Sequence, residues 1–224
     1  MAQLGARLNG IQKVRGSNPL GSTIKPIFKI HRTIVLVEGV TDQLALTLAA
    51  RRFGRDLEAE GVSVVAINGA HAIGRYLRRL TAEEPRPTLA GLYDAGEEEV
   101  VAAALERAGY GAFLDRSGLE RAGFFACNAD LEDELVRAAG EALLARLIEL
   151  EGDAQPWHTF QRQRAWQGRP PDQQFRRFIR SVSNRNSRYV RAIVETIDPS
   201  RLPRPLRLLL DHVNPVPLSR GAGL

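Results

Sequence analysis

Four short apolar runs, separated by longer helix-like stretches, constrain the fold of this chain most strongly. The runs are 33–37 (TIVLV), 63–67 (SVVAI), 89–93 (LAGLY) and 124–127 (FFAC). Runs of this kind, rich in β-branched residues, are typical of strands buried on both faces. The stretches that follow them have helical spacing and lie at 42–53, 72–80, 97–108 and 131–151. Strand and helix in this alternation predict right-handed βαβ units and a parallel sheet.

Acidic residues follow three of the four predicted strands. The residues just beyond the runs are Glu38, Asn68, Asp94 and Asp130. Asp42 stands four residues after Glu38, and Glu132 and Glu134 follow Asp130. Ligands of open parallel sheets bind beyond the carboxyl ends of the strands, and Mg²⁺ prefers oxygen ligands. A single strand-end acid is more often a helix cap than a ligand, but the coincidence at several strand ends predicts a divalent-metal site.

The charge is divided unevenly along the chain, whose net charge is +5. Residues 1–32 carry six basic residues and no acids, residues 33–156 carry a net −10, and residues 157–224 carry a net +9. An acidic body attracts cations, whereas an arginine-rich segment attracts phosphate. We therefore expect a metal-binding domain at 33–151 and a basic helical region at 152–224 that contacts any bound nucleic acid.

Arginines alternate with aromatic residues in the basic region. The aromatic residues are Trp157, Phe160, Trp166, Phe175, Phe178 and Tyr189. They stack on nucleic-acid bases in one interpretation. In the other, which we favour, they form the interior of a small helical unit with the arginines outside.

The segment 1–32 lacks helical or strand periodicity and is rich in Gly, Ser, Asn and Pro. This composition predicts a disordered leader that the fold does not need. Residues 16–19 (GSNP) can also be encoded by the T-arm of a transfer-RNA gene, which favours a start assigned too far upstream. A genuine basic arm that touches nucleic acid is the alternative.

Several classes of protein are disfavoured by the sequence. No apolar run approaches the roughly 18 to 20 residues that cross a bilayer, and no signal peptide is recognisable. The single cysteine, Cys127, has no partner for an internal disulfide. We therefore expect a cytoplasmic protein without membrane contact.

Two segments carry a resemblance to a known family. They are VLVEGVTDQLAL at 35–46 and LAGLYDAGEEE at 89–99, and together they resemble the TOPRIM domain of topoisomerases, primases and the overcoming lysogenization defect (OLD) nucleases. The OLD branch is the most similar, because it also places a second acid four residues after the first. It continues with an acid after the fourth strand, where DLEDEL (130–135) stands, and INGAHAIGR (67–75) is similar to that branch as well.

This resemblance implies a four-stranded parallel TOPRIM-like sheet flanked by helices and a metal-dependent endonuclease activity that uses Mg²⁺ or Mn²⁺. It implies that Glu38, Asp42 and Asp94 are catalytic metal ligands. Glu132 would be a further ligand, although the sequence does not separate it from Asp130 or Glu134. Asp130 and Glu97 are therefore included as additional metal-site residues. DNA is the implied partner, and a homodimer and a separate ATPase partner are both open.

The sequence departs from the family pattern in three ways. The expected DxD is Asp94-Ala95-Gly96, where only Glu97 can substitute for the second aspartate. The family uses a lysine downstream of the acids, but Lys13, Lys25 and Lys29 all lie upstream. Arg185 and Arg188 are the candidates for contacting nucleic acid, although a guanidinium stays protonated and offers no titratable amine.

The third departure is that no GxxxxGK(S/T) loop is present, so no ATP site of that kind is expected. A degenerate, non-catalytic TOPRIM module that binds metal, nucleic acid or a partner ATPase therefore remains the alternative.

Overall fold

A computed structural model describes residues 33–112, 115–182 and 184–214 of the chain. Its centre is a sheet of four parallel strands in the order β2-β1-β3-β4. The strands are β1 (Thr33–Val37), β2 (Val62–Ala66), β3 (Thr88–Asp94) and β4 (Phe124–Cys127). The predicted parallel α/β fold is confirmed, with strand bounds that differ from the prediction by at most one residue at either end. The predicted leader at 1–32 lies outside the described residues.

Nine helices are present in the described part of the chain. They are α1 (Val40–Arg52), α2 (Ile73–Leu80), α3 (Glu98–Arg107), α4 (Arg116–Arg121), α5 (Leu131–Leu150), α6 (Ala154–Gln161), α7 (Pro171–Ile179), α8 (Arg185–Thr196) and α9 (Arg204–His212). Short 3₁₀ turns at Ala70–Ala72 and Ala95–Glu97 lead into α2 and α3. Helices α4, α6 and α9 were not predicted, because each is short and contains glycine or proline.

Two details of the predicted helices were wrong. Helix α1 begins at Val40, two residues before the predicted stretch at 42–53. It is capped by Gly39, whose N–H donates to Asp42 Oδ2 at 2.9 Å. The long helix predicted at 131–151 is interrupted at Gly140, whose φ of 71° and ψ of 166° are not helical. Residues with a side chain rarely adopt a positive φ, so glycine permits this break.

The sheet separates two apolar layers. Residues of β1 alternate between them, since Val35 and Val37 face α1, α5 and the C-terminal helices, whereas Ile34 and Leu36 face α2, α3 and α4. Gly91 in β3 allows close packing at the centre, because a Cβ there would lie 2.7 Å from the Leu36 carbonyl oxygen and 2.9 Å from the Phe124 ring. Successive side chains of a strand point to opposite faces, so one β-branched run serves both layers.

The C-terminal helices share the core of the sheet. Helix α8 packs on α1 and α5, and α9 packs on β3 and β4. Phe175, Phe178 and Tyr189 are buried in the same apolar layer as Val35 and Leu46. Aromatic residues therefore lie inside this region, which is the interpretation we favoured, while the division at residue 151 stays a prediction.

Two arginines of the first domain also bind this region through its backbone. Arg52 Nη1 donates to the Val194 carbonyl at 2.9 Å, and Arg55 donates to the carbonyls of Leu210 and Val213 at 2.6 and 3.0 Å. Among the described residues, no helix combines the length and apolar character needed to cross a membrane.

Candidate functional site at the acidic crevice

A crevice of about 360 Å³ opens at the carboxyl edge of the sheet. Its lining residues are Glu38, Gly39, Thr41, Asp42, Asp94, Asp130, Glu132 and Arg180. Strands β1 and β3 are neighbours, so Glu38 and Asp94 emerge side by side. Helix α1 starts directly after β1 and adds Asp42 from its first turn, while α5 adds Asp130 and Glu132. The fold therefore brings together five of the six predicted metal ligands.

Asp42 and Asp94 are acids without a cationic partner. Burial raises the pKa of Asp42 to about 7 against the hydrogen bond from the Gly39 N–H, and the charges of Glu132, Glu38 and Asp130 add to the increase. Burial, followed by the charges of Glu38, Asp130 and Asp42, raises the pKa of Asp94 to about 7 as well. Neither forms an ion pair within the described residues. A cation in the crevice would relieve this repulsion.

The acids of α5 are neutralised from within the chain. Asp130 caps the helix by accepting from the Asp133 N–H at 2.7 Å, and it also pairs with Arg176 at 2.7 Å and Arg180 at 2.8 Å. Burial opposes ionisation of Asp130, but these three partners outweigh it and hold its pKa below the usual value. Glu132 accepts from Asn186 Nδ2 at 2.9 Å and lies 3.4 Å from Arg180.

The structure separates acids that the sequence left equivalent. Glu134 turns back to accept from the Asn128 N–H at 3.0 Å and pairs with Arg137 at 3.2 Å. It does not line the crevice, whereas Asp130 and Glu132 do. Glu97 ends the 3₁₀ turn after β3 and does not line the crevice either. In this arrangement Glu97 therefore does not take the place of the second aspartate of the DxD motif, where this chain has Gly96.

The arginine that reaches the crevice is one that sequence reasoning missed. Arg180 follows the end of α7, and 42% of its side chain is exposed. Arg176 and Arg180 are four residues apart, a spacing that places both on one helical face and was the available signal. The proposed nucleic-acid contacts lie elsewhere, because Arg185 and Arg188 both pair with Asp153.

The surroundings of those two arginines differ. Arg185 stacks over the Phe178 ring at 4.1 Å and has only 11% of its side chain exposed, which leaves little surface for a phosphate. Arg188 also pairs with Glu151 at 2.9 Å and is more exposed. Their proposed contact with nucleic acid stays a prediction.

The crevice offers only oxygen ligands from side chains, which suits a hard divalent cation. Among the described residues, however, no three His, Cys, Asp or Glu side chains are arranged as a ready-made metal site. Asp42 and Asp94 fit a cation because both are half-buried and have no ion-pair partner within the described residues, while Asp130 and Glu132 are held by Arg180. Binding of an ion by the full set therefore requires the side chains to rearrange.

Comparison with known proteins agrees with this geometry. Residues 31–86 match the family model of the overcoming lysogenization defect protein-like TOPRIM domain, a match that includes Glu38 and Asp42 but ends before Asp94. None of the curated proteins matches the chain significantly.

Solved structures extend the likeness beyond this segment. The C-terminal region of the Burkholderia pseudomallei OLD protein is 17% identical, with a TM-score of 0.61 over 82% of this chain and 97% of that one. The C-terminal region of the Xanthomonas campestris pv. campestris OLD protein is 20% identical, with a TM-score of 0.63 over 83% of this chain and 95% of that one. At these identities the likeness shows a shared fold that covers both the sheet and the C-terminal helices.

Proposed function

Because the chain carries an OLD-like TOPRIM domain on the fold of OLD C-terminal regions, we propose that it is a divalent-metal-dependent nuclease module that cleaves nucleic-acid phosphodiesters. The observation that carries the proposal is the pair Asp42 and Asp94. Both carboxyls line one crevice, Asp94 at the end of β3 and Asp42 in the first turn of the helix that follows β1. Burial, followed by the charges of neighbouring acids, raises the pKa of each to about 7. A structural cap would not need this arrangement.

Glu38, Asp42 and Asp94 are the residues that would hold the ion, with Asp130 or Glu132 completing its oxygen shell. A bound Mg²⁺ or Mn²⁺ supplies water activation and stabilisation of the leaving oxygen. Glu38 follows β1 directly and lines the crevice, where its carboxylate would hold the ion together with Asp42 and Asp94. Among the described residues, Arg180 is the one basic residue in the crevice lining, and its guanidinium is suited to contact the scissile phosphate.

The test is nicking of supercoiled plasmid with Mg²⁺, Mn²⁺ or EDTA, together with calorimetric titration of each metal. The Glu38→Gln variant keeps the shape but removes the charge, so cleavage should fall by orders of magnitude and metal affinity should fall with it. Glu141→Gln is the matched control, because Glu141 is an exposed acid on α5 away from the crevice. Cleavage that persists in EDTA, or a Glu38→Gln protein that binds metal and cuts normally, would contradict the proposal.

A second candidate function is a non-catalytic module that binds metal, nucleic acid or a partner ATPase. It is favoured by Gly96 in place of the second aspartate of the family's DxD and by Arg180, which already pairs with Asp130 Oδ2. Metal binding that depends on Glu38, without any cleavage under either metal, would identify this function instead.

A further inference from the structure

A groove between α2 and α3 carries positive charge on the otherwise acidic body. It measures about 450 Å³, and its lining includes His71, Arg75, Arg78 and Arg107. No acid from the described part of the chain lines it, although residues 33–156 have a net charge of −10. The groove is therefore a local reversal of the charge of this domain.

The arrangement of these side chains follows from helical spacing. His71, Arg75 and Arg78 are separated by four and three residues, so they lie along one face of α2 and its leading turn. Arg107 extends from α3 on the other side of the groove, where its neighbours in the lining, Ala104 and Ala108, have small side chains. The three arginines and the histidine are all exposed.

The three groove arginines are free of ion pairs with acids among the described residues, and in this they differ from many arginines of the C-terminal region. The arginines of that region that do pair with acids are Arg176, Arg180, Arg185, Arg188, Arg191 and Arg204. An arginine already paired with a carboxylate has less to gain from a phosphate. The groove arginines can therefore pair with a phosphate, whereas six arginines of the C-terminal region already pair with acids of the protein.

Within the described residues, the groove and the acidic crevice share no lining residue, but a small cavity and the turn before α2 connect them. The turn that leads into α2 follows β2, and its Gly69 N–H donates to the Glu38 carbonyl at 3.2 Å. Ile73 lines the groove and also a small cavity that it shares with Glu38. From there the groove runs down α2, and His71 to Arg78 spans about 10 Å at 1.5 Å per residue.

We infer that this groove binds the phosphate backbone of a nucleic-acid strand and leads that strand to the acidic crevice. The inference rests on the proposed function. The crevice repels phosphate when no cation is present, so a strand needs an anchor beside it. Three unpaired arginines and a histidine provide that anchor, over a length suited to roughly two or three phosphates of one strand.

The experiment measures binding without metal, by fluorescence anisotropy of labelled single-stranded DNA, duplex DNA and single-stranded RNA in EDTA at several salt concentrations. The groove variant is Arg75→Ala, Arg78→Ala and Arg107→Ala together. The body control is Arg51→Ala, Arg121→Ala and Arg146→Ala, and the C-terminal comparison is Arg164→Ala, Arg169→Ala and Arg177→Ala. Each set removes three exposed arginines that form no ion pair within the described residues, and thermal melting checks that each variant folds.

The groove variant should lose at least about tenfold in affinity for one or more of these probes. The slope of log affinity against log salt should fall by about two, because each phosphate contact contributes about 0.7 to 0.9. The body control should bind like the wild type. Equal losses in the groove and body sets, a loss confined to the C-terminal set, or no binding by the wild type would each overturn the inference. So would displacement of the labelled strand by polyglutamate as effectively as by unlabelled DNA.

These outcomes remain distinct from failure of the proposed function. Groove-dependent binding without metal-dependent cleavage would overturn only the nuclease proposal. Metal-dependent cleavage with binding that ignores the groove would overturn only the present inference.

Discussion

The two halves of the acidic crevice contain the same kinds of side chain in opposite electrostatic states. On the sheet side, Asp42 and Asp94 have raised pKa values and no cationic partner in the part of the chain that the structure describes. On the α5 side, Asp130 has a lowered pKa because the Asp133 N–H, Arg180 and Arg176 overcome the effect of burial. The acids on the sheet side therefore need a cation from solution. Asp130 on the α5 side is instead neutralised by Arg176 of α7 and by Arg180, which follows that helix. A count of acids at strand ends does not reveal this division.

The largest expected effect is on metal affinity, and matched substitutions in the two halves of the crevice test it. Asp94→Asn removes a carboxylate from the uncompensated half, so metal affinity and any metal-dependent cleavage should fall by at least about 100-fold, since outer-shell partners alone are worth 10–100-fold. Asp130→Asn keeps the helix cap and removes an acid that already has partners, so its loss should be smaller. Calorimetric metal titration and plasmid nicking measure both. A larger effect for Asp130→Asn would reverse the roles assigned to the two halves.

The second expectation concerns the stability of the metal-free protein. The pKa of Asp42 is raised on folding, so the native state holds a proton that the unfolded chain releases between about pH 4 and pH 7. Stability from this group is therefore lost as pH rises through that window. Asp42→Asn should be more stable than the wild type by about 2–3 kcal/mol at pH 8 in EDTA.

The difference for Asp42→Asn should vanish near pH 4, and urea unfolding at both pH values measures it. An amide oxygen can still accept from the Gly39 N–H, so the cap is kept. Equal destabilisation at both pH values would show that Asp42 acts as a structural cap.

The third expectation concerns the compensated half. Arg176 Nη2 and Nη1 bind Asp130 and Asp133 at 2.7 and 2.9 Å with 24% of the arginine side chain exposed. Arg176→Ala should cost about 1–2 kcal/mol at neutral pH, because two half-buried carboxylates lose a partner. The pKa of Asp130 is lowered on folding, so this contribution exists above its usual value and disappears as pH falls through the lowered one.

Arg191→Ala is the control for this change, since Arg191 forms an exposed pair with Glu195 and should cost little. Denaturant unfolding at neutral and acidic pH compares the two variants. Similar losses in both would mean that the pairing of α7 with α5 contributes no more than an ordinary surface ion pair.

The smallest expected effect comes from restoring an acid to the sheet half. A Cβ at Gly96 meets nothing within 4 Å, so Gly96→Asp places the family's second aspartate without a steric penalty. Metal affinity should rise by about tenfold, which corresponds to about 1.4 kcal/mol. Gly91→Ala is the contrasting variant, since its new Cβ would collide with the Leu36 carbonyl and lower stability. Gly96→Asp with unchanged metal affinity would indicate that the loop after β3 does not face the ion.

Local patterns were sufficient for the sheet and for the strand-end acids. The apolar run at 124–127 predicted the bounds of β4 correctly, because strands buried on both faces of a parallel sheet consist of consecutive apolar residues. The same rule placed Glu38, Asp94 and Asp130 at one edge. Family resemblance then gave the four-stranded TOPRIM architecture, which the fold confirms.

Long-range pairing was the part that the sequence did not show. Arg180 reaches Asp130 across 50 positions and Asn186 reaches Glu132 across 54, and no periodicity encodes contacts over such distances. The distinction between Glu132 and Glu134 has the same origin. It depends on which side chain meets α7 and α8 and which turns back to the Asn128 N–H.

Because α8 and α9 are buried against α1 and β4, folding of the C-terminal helices is coupled to the structure of the acidic crevice. The apolar layer runs without a break from Val35 to Leu209, and Arg55 ties the end of α9 to the loop after α1. Local melting of the C-terminal helices would uncover this layer and at the same moment withdraw Arg176 and Arg180 from the acids. The charge state of the crevice is thus thermodynamically linked to folding of a distant segment, and anything that binds that segment also changes how strongly the crevice attracts a cation.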